Sequence, residues 1–158
     1  MQRMQRVKRS GAKKTMRNMN MNSKNSKKIY QQLVYCFMQL LSSVKLYHWK
    51  TTDYPTHKAT DDLYASLNTK IDEFVEVLLG KPSSAGSNRA YILHMPSIKL
   101  PALHNNTSMK RTIESYKTFL INLTNNAQFK QGSNSDLLAI RDEILATLNQ
   151  FLYLLTLH

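Results

Sequence analysis

The chain has one cysteine, Cys36, in 158 residues. A single thiol builds neither an intrachain disulfide framework nor a multi-cysteine zinc site, and so sparse a use of cysteine fits a reducing compartment. Glycine and proline number four each, too few for the many turns of an all-β sandwich. No apolar run reaches the roughly 18 residues of a membrane-spanning helix. The N-terminal stretch lacks the apolar region of a secretory signal. It is rich in Arg and Lys and free of acids, as organelle transit peptides are, but it lacks their apolar face. These absences lead us to expect a cytoplasmic or nucleoid-associated protein, with a nucleus or a virion as alternatives, and not a secreted or membrane protein.

Acidic residues are also scarce, 10 Asp and Glu against 22 Lys and Arg, for a net charge of +12. The imbalance is local. Residues 1–28 hold ten bases and no acid: Arg3, Arg6, Lys8, Arg9, Lys13, Lys14, Arg17, Lys24, Lys27 and Lys28. The other 130 residues hold 12 bases and 10 acids, a net of +2. Five of the eight methionines also fall in the first stretch, which includes the low-complexity run Asn18-Met19-Asn20-Met21-Asn22. A segment of that composition cannot bury enough apolar surface to order itself, so residues 1–28 read as a disordered basic arm. Its charge suits non-specific binding to nucleic acid, driven by counterion release and therefore steeply salt-dependent. Nothing in it reads base edges. Solubility or a nuclear address is the competing reading. Residues 29–158 are long enough to bury one core.

From Ile29 the apolar residues recur at helical spacing: Tyr30, Leu33, Phe37, Leu40, Leu41, Val44, then His48. Asp53-Tyr54-Pro55 interrupts the pattern. A second helix is expected after Thr56 as N-cap, ending at Gly80-Lys81-Pro82. An irregular stretch of about 27 residues, 81–107, follows, in which Tyr91-Ile92-Leu93 is a candidate short helix. Met109, Ile113, Tyr116, Leu120 and Leu123 predict a third long helix, and Leu137, Ile140, Ile144, Leu148, Phe151 and Leu155 a fourth, after the turn Gly132-Ser133-Asn134. Short links make helices 1–2 and 3–4 antiparallel hairpins, whereas the long link can carry the chain the whole length of a bundle. The expected fold is all-α, a four-helix bundle with one long crossover between helices 2 and 3, which is ferritin-like connectivity.

The second helix carries His57, Asp61, Asp72 and Glu76. At about 100° per residue, steps of four, eleven and four keep all of them on one sloping stripe. Carboxylates with imidazole suit iron, manganese or zinc. Asp61 and Asp72 nevertheless lie about 16 Å apart along the axis, too far to share an ion within one chain. His57 and Glu76 are equidistant from the midpoint between Ser66 and Leu67, and so are Asp61 and Asp72. Two copies of the helix packed antiparallel about a two-fold axis there would set His57 against Glu76, and Asp61 against Asp72, of the other copy. Ala65 and Ser66 are small enough for close approach. The short turn 51–56 brings His48 beside His57 and Asp61. The spacing thus predicts two equivalent sites, each with His48, His57 and Asp61 from one subunit and Asp72 and Glu76 from the other. A carboxylate stripe that merely faces solvent is the bland alternative. Trp49 is expected to pack beside the site, Asp62 and Glu73 to face water, His94, His104 and His158 to lie on the surface, and Cys36 to be a buried, inert thiol.

The segments Tyr47-His48-Trp49, His57-x-x-x-Asp61 and Asp72-x-x-x-Glu76 together resemble the Dps family, the DNA-binding proteins from starved cells. These are mini-ferritins of the ferritin-like superfamily, four-helix bundles that assemble as dodecameric shells. Their inter-subunit ferroxidase site takes a histidine from a His-Trp pair, a His-x-x-x-Asp, and an Asp-x-x-x-Glu from the partner. The resemblance implies these roles for His48, His57, Asp61, Asp72 and Glu76, and a DNA-binding role for the basic arm, as in family members with a Lys-rich extension. It implies a homo-oligomer built from two-fold dimers, iron as the metal (manganese or zinc fitting the same ligands), and oxidation of Fe(II) by hydrogen peroxide or oxygen that protects compacted DNA. Two other readings use the same residues. One is a structural DNA-packaging protein of a nucleoid or virion core with a vestigial metal site. The other is a metal that only clamps the dimer.

Overall fold

A computed structural model describes residues 27–81, 88–129 and 132–157. The protein is all-α, with no strand among the described residues. Helix α1 covers 27–50, α2 Tyr54–Gly80, the short α3 Arg89–Ile92, α4 Asn106–Asn122 and α5 Ser135–Leu154. None of the described helices is long and apolar enough to cross a membrane.

Helix α1 buries Tyr30, Leu33, Phe37, Leu40, Val44 and Tyr47, the three- and four-residue rhythm of one helical face. Only 51–53 separate it from α2. The start of α2 differs from the expectation of a Thr56 cap. Asp53 is the N-cap, its carboxylate accepting from the Thr56 amide at 3.0 Å, and Pro55 lies in the first turn. Proline has no amide hydrogen to lose there, and its fixed φ suits a helix start. Asp53-Tyr54-Pro55 therefore opens a helix rather than merely ending one, and Thr56 is buried. The far end differs too. Gly80 is the last helical residue without a positive φ, and Lys81 leaves the helix in extended backbone, the conformation that a following proline favours. Asn105 caps α4 in a reciprocal box with Ser108.

Four long helices share one core. Phe37 of α1 and Phe74 of α2 meet edge to face at 5.1 Å, both fully buried. Ser43 of α1 bonds the Tyr116 hydroxyl of α4 at 3.3 Å. Ion pairs of 2.7 Å join Lys70 to Glu143 and Lys81 to Asp136, tying α2 to α5. Arg141 of α5 is buried and donates to the Leu120 carbonyl at 3.0 Å and the Thr124 hydroxyl at 2.8 Å, closing the end of α4. The Tyr47 hydroxyl, at the end of α1, donates to Asn106 at the start of α4 at 2.6 Å. The Lys81–Asp136 pair puts the end of α2 at the start of α5. Helix α1 thus runs opposite to α2 and α4, and α2 runs opposite to α5.

The segment between α3 and α4 climbs alongside α1, from the end of α2 to the start of α4. A polar row on α1 holds it: Gln31 donates to the carbonyls of Tyr91 and His94, Gln39 to that of Lys99, and Lys50 to that of Leu103, while Tyr35 accepts from the Lys99 amide. Ile92 and Leu103 are its buried anchors.

Candidate metal centre

The link between α1 and α2 places His48 and His57 ring on ring, centroids 3.9 Å apart and planes 26° from parallel. Each ring is tied to the other residue's backbone. His48 Nδ1 lies 3.0 Å from the His57 carbonyl, and His57 Nδ1 lies 3.0 Å from the His48 carbonyl. A carbonyl only accepts, so both Nδ1 atoms carry hydrogen and donate. In the neutral rings the lone pairs are then on Nε2, the arrangement that metal-binding histidines use. The Thr60 hydroxyl supports the lock by donating to the carbonyls of Thr56 and His57.

The His48 Nε2 atom faces Asp61 Oδ1 at 3.9 Å. That gap is too long for a hydrogen bond. Two neighbouring ligands with metal bonds of about 2.1 Å stand about 3.0–3.4 Å apart in tetrahedral or octahedral geometry, so the two atoms would have to close by about half an ångström to share an ion. The donor set of imidazole nitrogens and carboxylates fits iron, manganese or zinc. His48 is only 7% exposed, whereas Asp61 is exposed.

One chain supplies three of the five expected ligands at one end of the groove: His48 stacks on His57 and faces Asp61, while Asp72 and Glu76 lie farther along α2, exposed and without an ion pair among the described residues. Within the chain no group of three His, Cys, Asp or Glu converges closely enough to hold an ion among the described residues.

An open groove of about 720 Å³ runs between α1 and α2, lined by Met38, Leu41 and Lys45 of α1 and by Tyr64, Asn68 and Asp72 of α2. The outward residues near the middle of α2 are Ala65 and Asn68. Leu67 is fully buried in the core and Ser66 is turned off this face, so of the two small residues expected to permit close approach only Ala65 lies on it.

Trp49 lines the same groove as Asp72. It is 68% exposed, with the Lys45 ammonium 5.6 Å from its ring centre. Lys45 also stands 4.7 Å from the Tyr64 ring centre and 4.0 Å from Asp61 Oδ1. Sequence reasoning passed over this lysine. Its place three residues before His48, hence on the same helical face, is the signal that would have found it. Asp62 pairs with Lys58 at 2.7 Å on the outside, and Glu73, His94 and His104 are exposed. Cys36 is buried and its thiol is pushed up to about 12 by desolvation. Residues 1–26 of the basic arm lie outside the described residues, as does His158, whereas Lys27 and Lys28 already belong to α1.

No curated protein and no solved structure gives a significant match to the chain. A family model matches 48–155, 108 of the 158 residues. The matched span opens on His48, contains all five candidate ligands and leaves out the basic arm. The protein belongs to the family of unknown function DUF5856.

Proposed function

We propose that this protein is a Dps-like mini-ferritin that oxidises Fe(II) at sites shared between two copies of the chain and holds DNA non-specifically through its basic arm. Its helices, on this reading, form a ferritin-like four-helix bundle. The cyclic contacts α1–α2–α5–α4 and the long return segment between α2 and α4 support that connectivity.

The observation that carries the reading is the crossed lock between His48 and His57. Two side chains spend their Nδ1 hydrogens on each other's backbone, which leaves both Nε2 lone pairs uncommitted, that of His48 facing the exposed Asp61 carboxylate at 3.9 Å. The groove between α1 and α2 supports the rest. A second copy related by a two-fold axis would lay its own α2 across it, bringing its Asp72 and Glu76 to Asp61 and His57. Each site would then hold two imidazoles and three carboxylates, with Asp61 and Glu76 of the second copy bridging a pair of substrate Fe(II) ions. Two Fe(II) ions release one electron each. Hydrogen peroxide takes both, its O–O bond breaks, and the two hydroxides formed become water on protonation. Pairing the ions delivers both electrons together and avoids the one-electron step that makes hydroxyl radical near DNA. Oxygen is the alternative oxidant.

The test is Fe(II) oxidation by hydrogen peroxide, followed by ferric absorbance, in the parent and in an Asp61→Ala, Glu76→Ala double variant. Fast oxidation saturating near two Fe per site, lost in the double variant, is expected. A rate no higher than buffer in the parent would sink the ferroxidase reading and leave DNA packaging by the arm as the function.

A further inference from the structure

We infer that Lys45 is a placeholder cation: it neutralises Asp61 while the shared site holds no metal, and an arriving divalent ion must displace it. This rests on the shared-site reading proposed above. Three contacts converge on the Lys45 ammonium. It stands 4.0 Å from Asp61 Oδ1, the same oxygen that faces His48 Nε2 at 3.9 Å. On its other side are the ring faces of Tyr64, at 4.7 Å, and Trp49, at 5.6 Å. The ammonium therefore has two seats, a carboxylate and a pair of π faces, either of which attracts a cation.

The charge balance of the paired arrangement gives this its consequence. Each site would gather three carboxylates, Asp61 with Asp72 and Glu76 of the second copy, against two imidazoles. Without a compensating cation the two copies repel each other at the site. Lys45 is the one Lys or Arg in an ion pair with Asp61 among the described residues, and it lines the groove that the second copy would cover. A metal ion bound to Asp61 would repel the ammonium from the carboxylate. The flexible stem lets it withdraw toward Tyr64 and Trp49 without leaving the groove. Lys45 would thus hold the metal-free dimer together and weaken metal binding, as a positioning residue and not a ligand.

The experiment compares the full-length parent with Lys45→Met, which keeps the stem and removes the charge, Lys45→Arg, which keeps the charge, and Asp61→Ala. Zn(II), which takes the same ligands without redox chemistry, is titrated by calorimetry. The dimer is followed in chelator by sedimentation velocity. Trp49, the sole tryptophan, reports the withdrawal of the ammonium by its fluorescence. Lys45→Met is expected to bind Zn(II) about tenfold more tightly, a difference of about 1.4 kcal/mol, and to lose metal-free dimer at protein concentrations where the parent retains it. Lys45→Arg should behave as the parent. Zn(II) should change Trp49 fluorescence in the parent and much less in Lys45→Met. If Asp61→Ala abolishes Zn(II) binding but Lys45→Met binds no more tightly than the parent, the placeholder role is overturned and the shared site stands. If the parent shows no Asp61-dependent Zn(II) binding, both fall together.

Discussion

His57 has a structural task that can be separated from any metal. Helix α1 ends at residue 50, so its last four carbonyls, 47–50, have no partner within the helix. The Thr51 amide takes the Tyr47 carbonyl at 2.9 Å. The His48 carbonyl is taken by the His57 ring at 3.0 Å. His57→Ala removes that donor and leaves a partly buried acceptor unsatisfied, which costs about 1–2 kcal/mol. It also removes one ring of the stacked pair, worth about 0.5–1 kcal/mol. The sum is about 2 kcal/mol, or about 4–8 °C in Tm at the 2–4 °C per kcal/mol of a domain of this size. His57→Gln, whose amide can donate to the same carbonyl, should recover part of the loss. The neighbouring Lys58 pairs with Asp62 on the surface, so Lys58→Ala should cost far less than His57→Ala. Thermal and urea unfolding followed by circular dichroism, in chelator throughout, measures all three. If His57→Ala loses no more stability than Lys58→Ala under those conditions, the capping argument is wrong, and the Nδ1 contact does not fix the ring as described.

Two further outcomes rest on single groups. Cys36, buried with its thiol pushed up to about 12, should react with a maleimide at native pH only as fast as the protein unfolds, and rapid labelling of the folded chain would contradict its burial. The Lys81 ammonium holds the Asp136 carboxyl below its ordinary value, helped by the Leu137 amide. A depressed folded pKa means that the pair's stabilisation is present above the unfolded value of about 4 and is lost as pH falls through the folded one. Urea midpoints of the parent should therefore fall more steeply below about pH 4 than those of Asp136→Asn, and parallel profiles would rule out the linkage.

The long helices were legible because their cores repeat every three or four residues and little else in the chain competes with that pattern. The joint between α1 and α2 was misread at Thr56 because proline was weighed as a breaker, although at a first helical turn it is a good starter. The meeting of His48 with His57 and Asp61 was legible for the same reason as the helices: His57 and Asp61 share a face at a spacing of four, and a short link delivers His48 to them. The crossed backbone bonds were not, since a carbonyl carries no mark in the sequence and only the chain path aims it. Arg141 gave no signal either. Its burial depends on the Leu120 carbonyl lying within reach, and a lone arginine in a helix ordinarily reads as surface. Gln31, Tyr35, Gln39 and Lys50 looked like unremarkable polar positions until the return segment supplied the backbone groups that they bind.

On the shared-site proposal, the two faces of α2 explain why one chain would show so little of it. The inward face is committed to packing through Leu63, Leu67, Ile71, Phe74 and Leu78, so ligands would have to sit on the outward face. There, Asp61 and Asp72 are too far apart to meet, and among the described residues Asp61 is approached by His48 and Lys45. A carboxylate in water gains little from such an exposed pair. The same groups brought together by a second copy lose solvent and must be neutralised. On that proposal, association, metal binding and the position of Lys45 would be parts of one equilibrium, because an ion that binds only the paired state stabilises pairing by the same free energy with which pairing strengthens its binding. The lock between His48 and His57 needs no partner copy. It is built by the turn itself, so the imidazoles would be set before either a second copy or a metal arrived, and the ordering cost of that part of the site would fall on folding rather than on binding.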